Sequence, residues 1–408
     1  MNNQNNLKVS KLKKISSKET ILFILILIEF AIIFYILRYG FNVSSEFMLM
    51  SDDGYYESAI LMNEQVFHQG PGWMNYAMVK FYKLFPIELH PYVAVIYRAL
   101  FLFTTLFLIR TLYCKNDTEK IIIYIVFMFP LLFYFVFKPG PEIFMMPFIT
   151  ILIYQLSYDK LSKWYEYIIF IISFFIISQM KPSLAILSIY AAFVMLKKKK
   201  ILIGIIILIL LFGNYWLFKQ ASHTKDTPYG EKLPELSIVV ANGLRNKQFF
   251  MNITHNKINL NDPQYFASIM DKTWPEMEQI IEKECKTNID VLKYLLKNPD
   301  LIVFQIIINF LHIFGGTGRL GLNIILFLIN FPIYIITFIL VKKQNKTHLQ
   351  IFKYCLSYLL FFLLLNVRFR YVYPILPIIY FLFATNVYYY WQSKKELKNN
   401  KVGFELAP

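Results

Sequence analysis

Apolar runs of membrane-spanning length recur along this 408-residue chain and limit it to folds that a lipid bilayer can hold. Three of them, at 21–37, 201–218 and 320–341, approach or exceed the roughly 20 residues that a helix needs to cross about 30 Å of hydrocarbon. Charged residues make up 17% of the chain, against roughly 25% in an average soluble domain. Because backbone groups cannot stay unpaired in lipid, the sequence predicts an all-α, polytopic membrane protein.

The distribution of lysines predicts the orientation of the chain in the membrane. Lysines precede the first apolar run and recur in alternate connections, a pattern that places the amino terminus in the cytoplasm. The same pattern accounts for the net charge of +16, because the lysines lie between apolar runs instead of along one basic face. We therefore expect a multi-pass protein of a bacterial plasma (inner) membrane, with membrane lipids around it and no nucleic-acid partner.

The number of crossings depends on the apolar run 301–314, which is short for a span and is followed by GGTGRLG. If this run crossed, Lys342, Lys343 and the lysines of the carboxyl-terminal tail would face outward. The charge rule therefore favours an interfacial or re-entrant segment, which gives ten crossings, with eleven as the alternative. The predicted organisation is an N-terminal membrane module (1–218), an outer-face polar loop or small subdomain (219–300), C-terminal membrane helices (301–391) and a cytoplasmic tail (392–408).

Two adjacent carboxylates, Asp52 and Asp53, follow the first apolar run and fall in the first outer loop. A pair of carboxylates at the membrane surface allows one to act as a base while the other holds an acceptor or a metal ion. The alternative is two solvated acids that cap a helix. The segment 71–85 is amphipathic and aromatic, which is typical of a helix that lies in the membrane interface.

Cationic side chains are predicted to lie on the same outer side as this pair. With ten crossings the outer connections carry Lys138 with Glu142, Lys181, and Arg368 with Arg370. Arginine at membrane depth is costly unless it is paired or lies in a polar cavity, and guanidinium groups bind phosphate through two hydrogen bonds. We therefore expect acids and phosphate-binding cations to face each other; snorkelling of the arginines toward lipid headgroups is the alternative.

Five short motifs resemble, in order, those of the GT-C class of membrane glycosyltransferases, in particular the protein mannosyltransferase and aminoarabinose transferase group. Asp52-Asp53-Gly-Tyr55-Tyr56 resembles the DExxY-like element of the first outer loop, with aspartate where glutamate is common. Downstream segments resemble later motifs of that group: HQGPGWMNY from His68, KPGPE ending in Glu142, QMKPS with Lys181, and RYVYPILP beginning with Arg370 and Tyr371.

This resemblance implies a GT-C-like helix arrangement and an inverting sugar transfer on the outer face, from a polyprenyl-phosphate donor to a lipid, glycan or protein acceptor of the cell envelope. Asp52 and Asp53 would be catalytic, with Asp52 as the base. No cofactor is certain, and a divalent metal is possible. The donor phosphate would be bound by Lys138, Lys181, Arg368 and Arg370, and the substrates contacted by Tyr55, Tyr56, His68, Glu142 and Tyr371.

Two other functions fit the same composition. A polysaccharide polymerase or ligase that uses lipid-pyrophosphate glycans also has ten or more spans, and a large outer loop like 219–298. A transporter or flippase would bury polar groups at mid-membrane within broken spans. Here the intramembrane charges are chiefly Glu29 and Arg98, whereas the other polar residues gather at one face, which favours the transferase.

Overall fold

The computed structural model describes part of the chain, and every structural statement here refers to that part. The described residues are 15–40, 81, 84–137, 142–180, 195, 201–202, 204–209, 239–240, 243–244, 246–248, 251, 279–280, 283–315, 320–363 and 372–405. Within these ranges all regular secondary structure is helical, as the sequence predicts.

The helices with defined bounds follow one another in a simple order. They are α1 (Ser17–Tyr35, continued by a π-helical turn, Ile36–Gly40), a 3-10 turn (Ile87–Leu89), α2 (His90–Leu112), α3 (Asp117–Phe127), α4 (Leu131–Phe137), α5 (Glu142–Ser157), α6 (Trp164–Met180), α7 (Asn288–Lys297), α8 (Pro299–Gly315), α9 (Leu320–Gln344), α10 (Lys346–Leu363), a second 3-10 turn (Tyr373–Ile375) and α11 (Leu376–Glu405).

Three of the described helices are long and apolar enough to cross a membrane. The qualifying stretches are Ser17–Tyr39, Tyr92–Leu112 and Ile325–Gln344, and the bent pair α7–α8 adds a fourth if it counts as one broken span. Shorter apolar helices occupy Glu142–Ser157 and Trp164–Ile177. The chain is therefore a helical protein with spans fit for a bilayer, and the number of crossings remains a prediction.

The apolar run 120–137, from which the sequence predicts a single span, is divided in the structure into α3 and α4. The amide of Met128 closes α3 with hydrogen bonds to the carbonyls of Tyr124 and Ile125, and Leu132 starts a new turn by donating to Phe129. Pro130 lies between them. Proline has no N–H and its ring clashes with the preceding turn, so it favours a break at this position, although α5 and α9 continue through Pro147 and Pro332.

The helices form a bundle with two distinct ends. Tyr97 near the start of α2 contacts Phe144 near the start of α5, and Tyr113 after α2 contacts Tyr154 and Tyr158 at the end of α5. The two helices therefore run in the same direction. We call the end where α2 and α5 begin the rim end, and the opposite end, where the connections 113–116 and 158–163 carry lysines, the basic end.

The first helix runs antiparallel to α2. Its first turn, with Glu19, lies against Arg110 at the basic end, and Phe34 near its last turn contacts the ring of Tyr92 at the rim end. Glu19 also completes a capping box with Ser16, whose amide donates to the carboxylate at 2.8 Å. This cap fixes where α1 begins, and the π-helical turn then leads from the rim end into the loop that carries Asp52.

The last three helices close the bundle. Tyr389 of α11 donates to Glu119 of α3 at 2.8 Å, so α11 runs from its 3-10 turn toward the basic end. His348, near the start of α10, lies within hydrogen-bond distance of Asn386, so α10 starts at the basic end as well. The link from α9 to α10, with its lysines, is therefore at the basic end.

A small separate core precedes the last membrane helices. It is formed by Val240, Cys285, Val291, Leu295 and Leu301, all buried. Helix α7 contributes two of these side chains, and the chain then bends by 90° into α8. Part of the predicted polar subdomain 219–300 is thus folded around its own apolar residues.

Helix α8 ends inside the bundle beside the middle of α9. The side-chain amide of Asn330 donates to the carbonyl of Phe314 at 2.9 Å, and Asn330 lies ten residues after the start of α9 at Leu320. Tyr380 of α11 donates to the other side of the Asn330 amide at 2.5 Å. Because each residue rises about 1.5 Å, the end of α8 lies about 15 Å along α9 instead of beside its first turn.

Candidate functional site

Of the predicted site residues, the structure describes Glu142. The others lie outside the described residues: Asp52, Asp53, Tyr55, Tyr56, His68, Lys138, Lys181, Arg368, Arg370 and Tyr371. The candidate site is therefore described from Glu142 and from the described residues that lie next in sequence to the predicted site residues.

Glu142 is the first residue of α5 and is buried at the rim end. Its position follows from packing of the next turn, where the ring of Phe144 fits between Tyr97 and Phe101 of α2 with centroids 5.3 and 5.0 Å away. A carboxylate in the first turn of a helix is stabilised by the positive end of the helix dipole. The fold thus places a carboxyl group below the protein surface at the start of α5, four residues after Lys138 in the sequence.

Arg98 is a second buried charge in the same region. Its side chain is fully enclosed, and the guanidinium donates from Nη1 to the carbonyl of Val136 at 3.1 Å. Val136 lies in the last turn of α4, two residues before Lys138. Sequence reasoning recognised Arg98 as an intramembrane charge but did not include it in the site. The signal was present, since an arginine within an apolar helix has to reach a polar environment.

The turn that follows Arg370 and Tyr371 also packs into this region. The hydroxyl of Tyr373 donates to the carbonyl of Leu132 in α4, and the turn Tyr373–Ile375 packs against α5. All three residues of the turn are buried. The turn at the end of the RYVYP motif therefore contacts α4 and α5, the two helices that flank the KPGPE motif. The two motifs are more than 200 residues apart in sequence.

The first helix ends at the same end of the bundle. Phe34 contacts Phe137, the last residue of α4, at 5.9 Å and Tyr92 of α2 at 6.2 Å. Phe137 immediately precedes Lys138, and α1 precedes the loop with Asp52. Side chains near the ends of α1 and α4 are thus in contact, and in the sequence these two helix ends lead to Asp52 and Lys138.

The described end of the amphipathic segment 71–85 packs on the start of α2. The ring of Phe81 lies 5.0 Å from that of Tyr97 and 5.4 Å from that of Phe85. The imidazole of His90 is buried and is 3.0 Å from the carbonyl of Phe85, to which its N–H donates. His90 therefore ties this segment to α2.

Helix α6 also ends at the rim end, directly before the predicted site residue Lys181 in the sequence. It follows α5 after a short connection and packs antiparallel to it, and Gln155 near the end of α5 donates to the carbonyl of Glu166 in the first turn of α6 at 2.8 Å. Met180 ends α6 and precedes Lys181. Its path from the basic end to the rim end brings this border to the side where Glu142 begins α5.

Within the described ranges, no three His, Cys, Asp or Glu side chains come together as a metal ion would require. The side chains of Glu142 and Arg98 are buried at the rim end, and each has interaction partners within the protein. In comparisons with protein-family profiles, curated proteins and solved structures, nothing matched the chain.

Proposed function

We propose that this chain is an inverting membrane glycosyltransferase of the GT-C class, which transfers a sugar from a polyprenyl-phosphate donor to a lipid, glycan or protein acceptor of the cell envelope. The proposed site lies at the rim end, on the extracytoplasmic face of a bacterial plasma membrane. The observation that carries the proposal is the meeting of α1, α4, α5 and the Tyr373–Ile375 turn at that end.

A lipid-linked donor explains why such a site belongs at the end of a bundle. The polyprenyl chain stays in the hydrocarbon, so its phosphate and sugar lie at headgroup depth, where spans end and polar connections begin. Glu142 and Arg98 provide support, because the fold already holds an acid and a guanidinium close to this depth. Buried charges that are fixed before substrate arrives can orient it without further reorganisation.

The proposed chemistry uses an acid for proton transfer and cations for the leaving group. Asp52 takes the proton from the acceptor hydroxyl as its oxygen attacks the anomeric carbon, and the bond from that carbon to the donor phosphate oxygen breaks. The electron pair leaves with the polyprenyl phosphate, whose charge is stabilised by Arg368, Arg370, Lys138 and Lys181. Asp53 holds the acceptor or a divalent metal.

Substrate contacts complete the proposed assignments. Glu142 contacts the sugar or acceptor hydroxyls from the start of α5. Arg98 holds the carbonyl of Val136 and thereby the end of α4, which directs the chain toward Lys138. The remaining contacts are assigned to Tyr55, Tyr56, His68 and Tyr371.

We also propose ten crossings, with α8 as a re-entrant segment. Its support is the 90° bend before α8 and the hydrogen bond of Phe314 with Asn330, which leaves the end of α8 beside the middle of α9. A helix that crossed fully would end beside the first turn of α9. Ten crossings give both termini and the lysines of the basic end the same, cytoplasmic side.

The proposal is tested by sugar transfer in membranes that contain the full chain and a radiolabelled polyprenyl-phosphate sugar. Asp52→Asn removes the base, and we expect transfer to fall by roughly 100-fold or more. Asp159→Asn is the matched control, because Asp159 lies at the basic end with a positive φ of 52° that asparagine also adopts. Equal transfer by wild type and Asp52→Asn would reject Asp52 as the base.

Donor binding is tested separately through the arginines. Arg368→Gln or Arg370→Gln should raise the KM for the lipid donor, because each removes a charged partner of the phosphate. The amount of folded protein, measured by size-exclusion chromatography in detergent, should stay at the wild-type level. A normal donor KM in both variants would count against phosphate binding by these residues.

One observation favours a second function, a polymerase or ligase that uses lipid-pyrophosphate glycans. The small core around Cys285 and Val291 means that the polar region between α6 and α8 contains folded structure, as a large acceptor-binding loop would. The two functions differ in their donor. Transfer from a lipid-pyrophosphate oligosaccharide but not from a polyprenyl-phosphate monosaccharide would establish the second and exclude the first.

A further inference from the structure

The basic end carries two clusters in which exposed aromatic rings lie beneath lysine ammonium groups. In the α11 cluster, Lys394 lies over the ring of Tyr390 at 5.7 Å and Lys395 lies over that of Trp391 at 5.5 Å. Both pairs have i, i+4 spacing on adjacent faces of one helix, so the two ammonium groups are presented side by side. The rings themselves are exposed, with Trp391 at 60%.

The α6 cluster repeats this arrangement on a different helix. Lys163 lies over the ring of Tyr165 at 5.7 Å, and Trp164 packs edge-on against Tyr165 with a centroid distance of 6.1 Å. Trp164 is 74% exposed. This cluster follows the connection after α5, and therefore lies at the basic end.

The two clusters lie at the same level of the bundle. Tyr389, directly before the α11 cluster, hydrogen-bonds with Asn116 and Glu119 at the start of α3. The connection that leads to α3 follows Tyr113, whose ring contacts Tyr158 at the start of the connection to the α6 cluster. Both clusters therefore lie where the spans of the bundle end on the basic side.

We infer that each of these two clusters binds the headgroups of anionic phospholipids. Tryptophan and tyrosine rings favour the membrane–water interface, and lysines near a leaflet surface attract acidic lipids. An ammonium group that rests on a ring is held in place by the cation–π contact, and its outward N–H groups donate to a phosphate. The inference does not depend on the proposed transferase activity, since it concerns the opposite end of the bundle.

Charge and composition favour a lipid surface over a soluble partner. The exposed rings of the α6 cluster directly precede the apolar outer surface of α6, where Ile168, Ile169 and Ile172 are exposed. A soluble partner would have to bind beside a surface that acyl chains would cover in a membrane. The Lys163 ammonium group lies at the start of that surface, where the phosphates of a leaflet would be.

The test is native mass spectrometry of the full-length protein in detergent, titrated with phosphatidylglycerol or phosphatidylcholine. We expect wild type to bind phosphatidylglycerol more tightly. The double variant Lys394→Gln/Lys395→Gln should bind phosphatidylglycerol with roughly fivefold weaker affinity for each lysine removed. Trp391→Leu keeps an apolar side chain but removes the π face, and should weaken binding by roughly two- to fivefold.

The matched control is Lys342→Gln/Lys343→Gln, which removes the same charge from the last turn of α9 at the same end. Both lysines are exposed, and among the described residues no aromatic ring lies beneath them. We expect this control to keep most of the preference for phosphatidylglycerol. Equal affinity of wild type for the two lipids, or equal losses in the two double variants, would overturn the inference.

Free phosphate distinguishes a lipid site from a general anion site. We expect sodium phosphate at millimolar concentration to leave bound phosphatidylglycerol in place, because the acyl chains contribute to binding. Displacement by phosphate would overturn the assignment to lipid headgroups. The thermal unfolding midpoints of the lysine variants should equal that of wild type, because the lysine side chains are exposed. Equal midpoints would show that weaker lipid binding does not result from a loss of fold.

Discussion

The carboxylate of Glu19 and the guanidinium of Arg110 meet side-on, with Oε1 2.7 Å from Nε and Oε2 3.0 Å from Nη2, and join α1 to α2 across 91 residues of sequence. Both side chains are buried. Helix α1 otherwise has little enclosed surface, since 6% of its apolar window is buried inside the protein. The pair is therefore a principal polar attachment of the first helix to the bundle.

Neutralising one partner of this pair should destabilise the protein strongly. Glu19→Gln keeps the capping box with Ser16 but leaves the Arg110 guanidinium buried without its counter-charge, and we expect a loss of about 3–5 kcal/mol. The double variant Glu19→Leu/Arg110→Met should lose much less, because an apolar pair of similar volume needs no desolvation of charge and the remaining cost is that of the lost Glu19 half of the capping box, about 0.5–2 kcal/mol. Unfolding in detergent, followed by circular dichroism, measures both.

The control for this prediction is Lys247→Gln, which breaks the pair with Asp300, 2.8 Å away. Both side chains are 42% exposed, so solvent screens the interaction and the expected loss is about 0–1 kcal/mol. A Glu19→Gln variant as stable as Lys247→Gln would show that the buried pair does not hold α1.

Removing the Tyr380 hydroxyl should loosen the end of α8. In Tyr380→Phe the side-chain oxygen of Asn330 loses its donor while it remains buried, which should cost about 1–3 kcal/mol. Tyr390→Phe is the control, because that tyrosine is exposed and should tolerate the change within about 0.5 kcal/mol. Thermal unfolding of the two variants compares them directly, and indistinguishable midpoints would contradict the assigned role of Asn330.

Adding a methyl group at Gly243 should strain the small core before α8. A Cβ at this position would lie 2.9 Å from the Cβ of Leu301 and 3.2 Å from its carbonyl oxygen, and neither atom can move independently of the backbone. Helix propensity favours alanine by about 1 kcal/mol, whereas overpacking costs about 1–3 kcal/mol. We therefore expect a modest net loss of stability in Gly243→Ala, confined to this core.

The thiol of Cys285 provides the measurement for that loss. Burial raises the pKa of Cys285, so the folded core protects it from maleimide reagents, which react with the thiolate. Gly243→Ala should accelerate labelling of Cys285 by several-fold while Cys114, buried near the basic end, keeps its wild-type rate. Leu292→Ala, at an exposed position of α7, is the control and should leave both rates unchanged.

The proposal of ten crossings predicts which positions an impermeant thiol reagent reaches from outside the cell. In a background with the three natural cysteines replaced by alanine, cysteine at Ser45 and at Asn366 should both be labelled. Cysteine at Lys163, an exposed residue of the basic end, should be labelled only after the membrane is opened. Labelling of position 45 without position 366 would restore eleven crossings.

Local sequence signals predicted where helices occur better than they predicted where helices break. The apolar run 21–37 corresponds to α1 and its π-helical turn because a long run of this kind has one stable solution in a bilayer. The run 120–137 was predicted as a single span, although Pro130 was present to mark the division into α3 and α4. The apolar content of a run indicates how long a span is, but whether the helix is continuous depends on residues such as proline.

Tertiary partners were beyond the reach of the sequence. Nothing local to Glu19 indicates Arg110, and nothing local to Phe314 indicates Asn330, since each pair forms only when helices distant in sequence pack together. At the candidate site, the sequence indicated Glu142, which the structure buries at the rim end, and did not assign Arg98 to the site. The roles of the Asp52 pair and of the arginines remain predictions.

The hydrogen bonds at the end of α8 impose an order on biogenesis. The carbonyl of Phe314 is satisfied by Asn330, and Asn330 in turn by Tyr380, which is made 66 residues after Phe314. Until α9 is made, the carbonyl of Phe314 lacks this donor, and until α11 is made, the buried side-chain oxygen of Asn330 lacks its own. If α8 is the proposed re-entrant segment, its tip therefore acquires its full support only when the final helix has been synthesised, and a chain truncated before α11 should hold α8 less firmly.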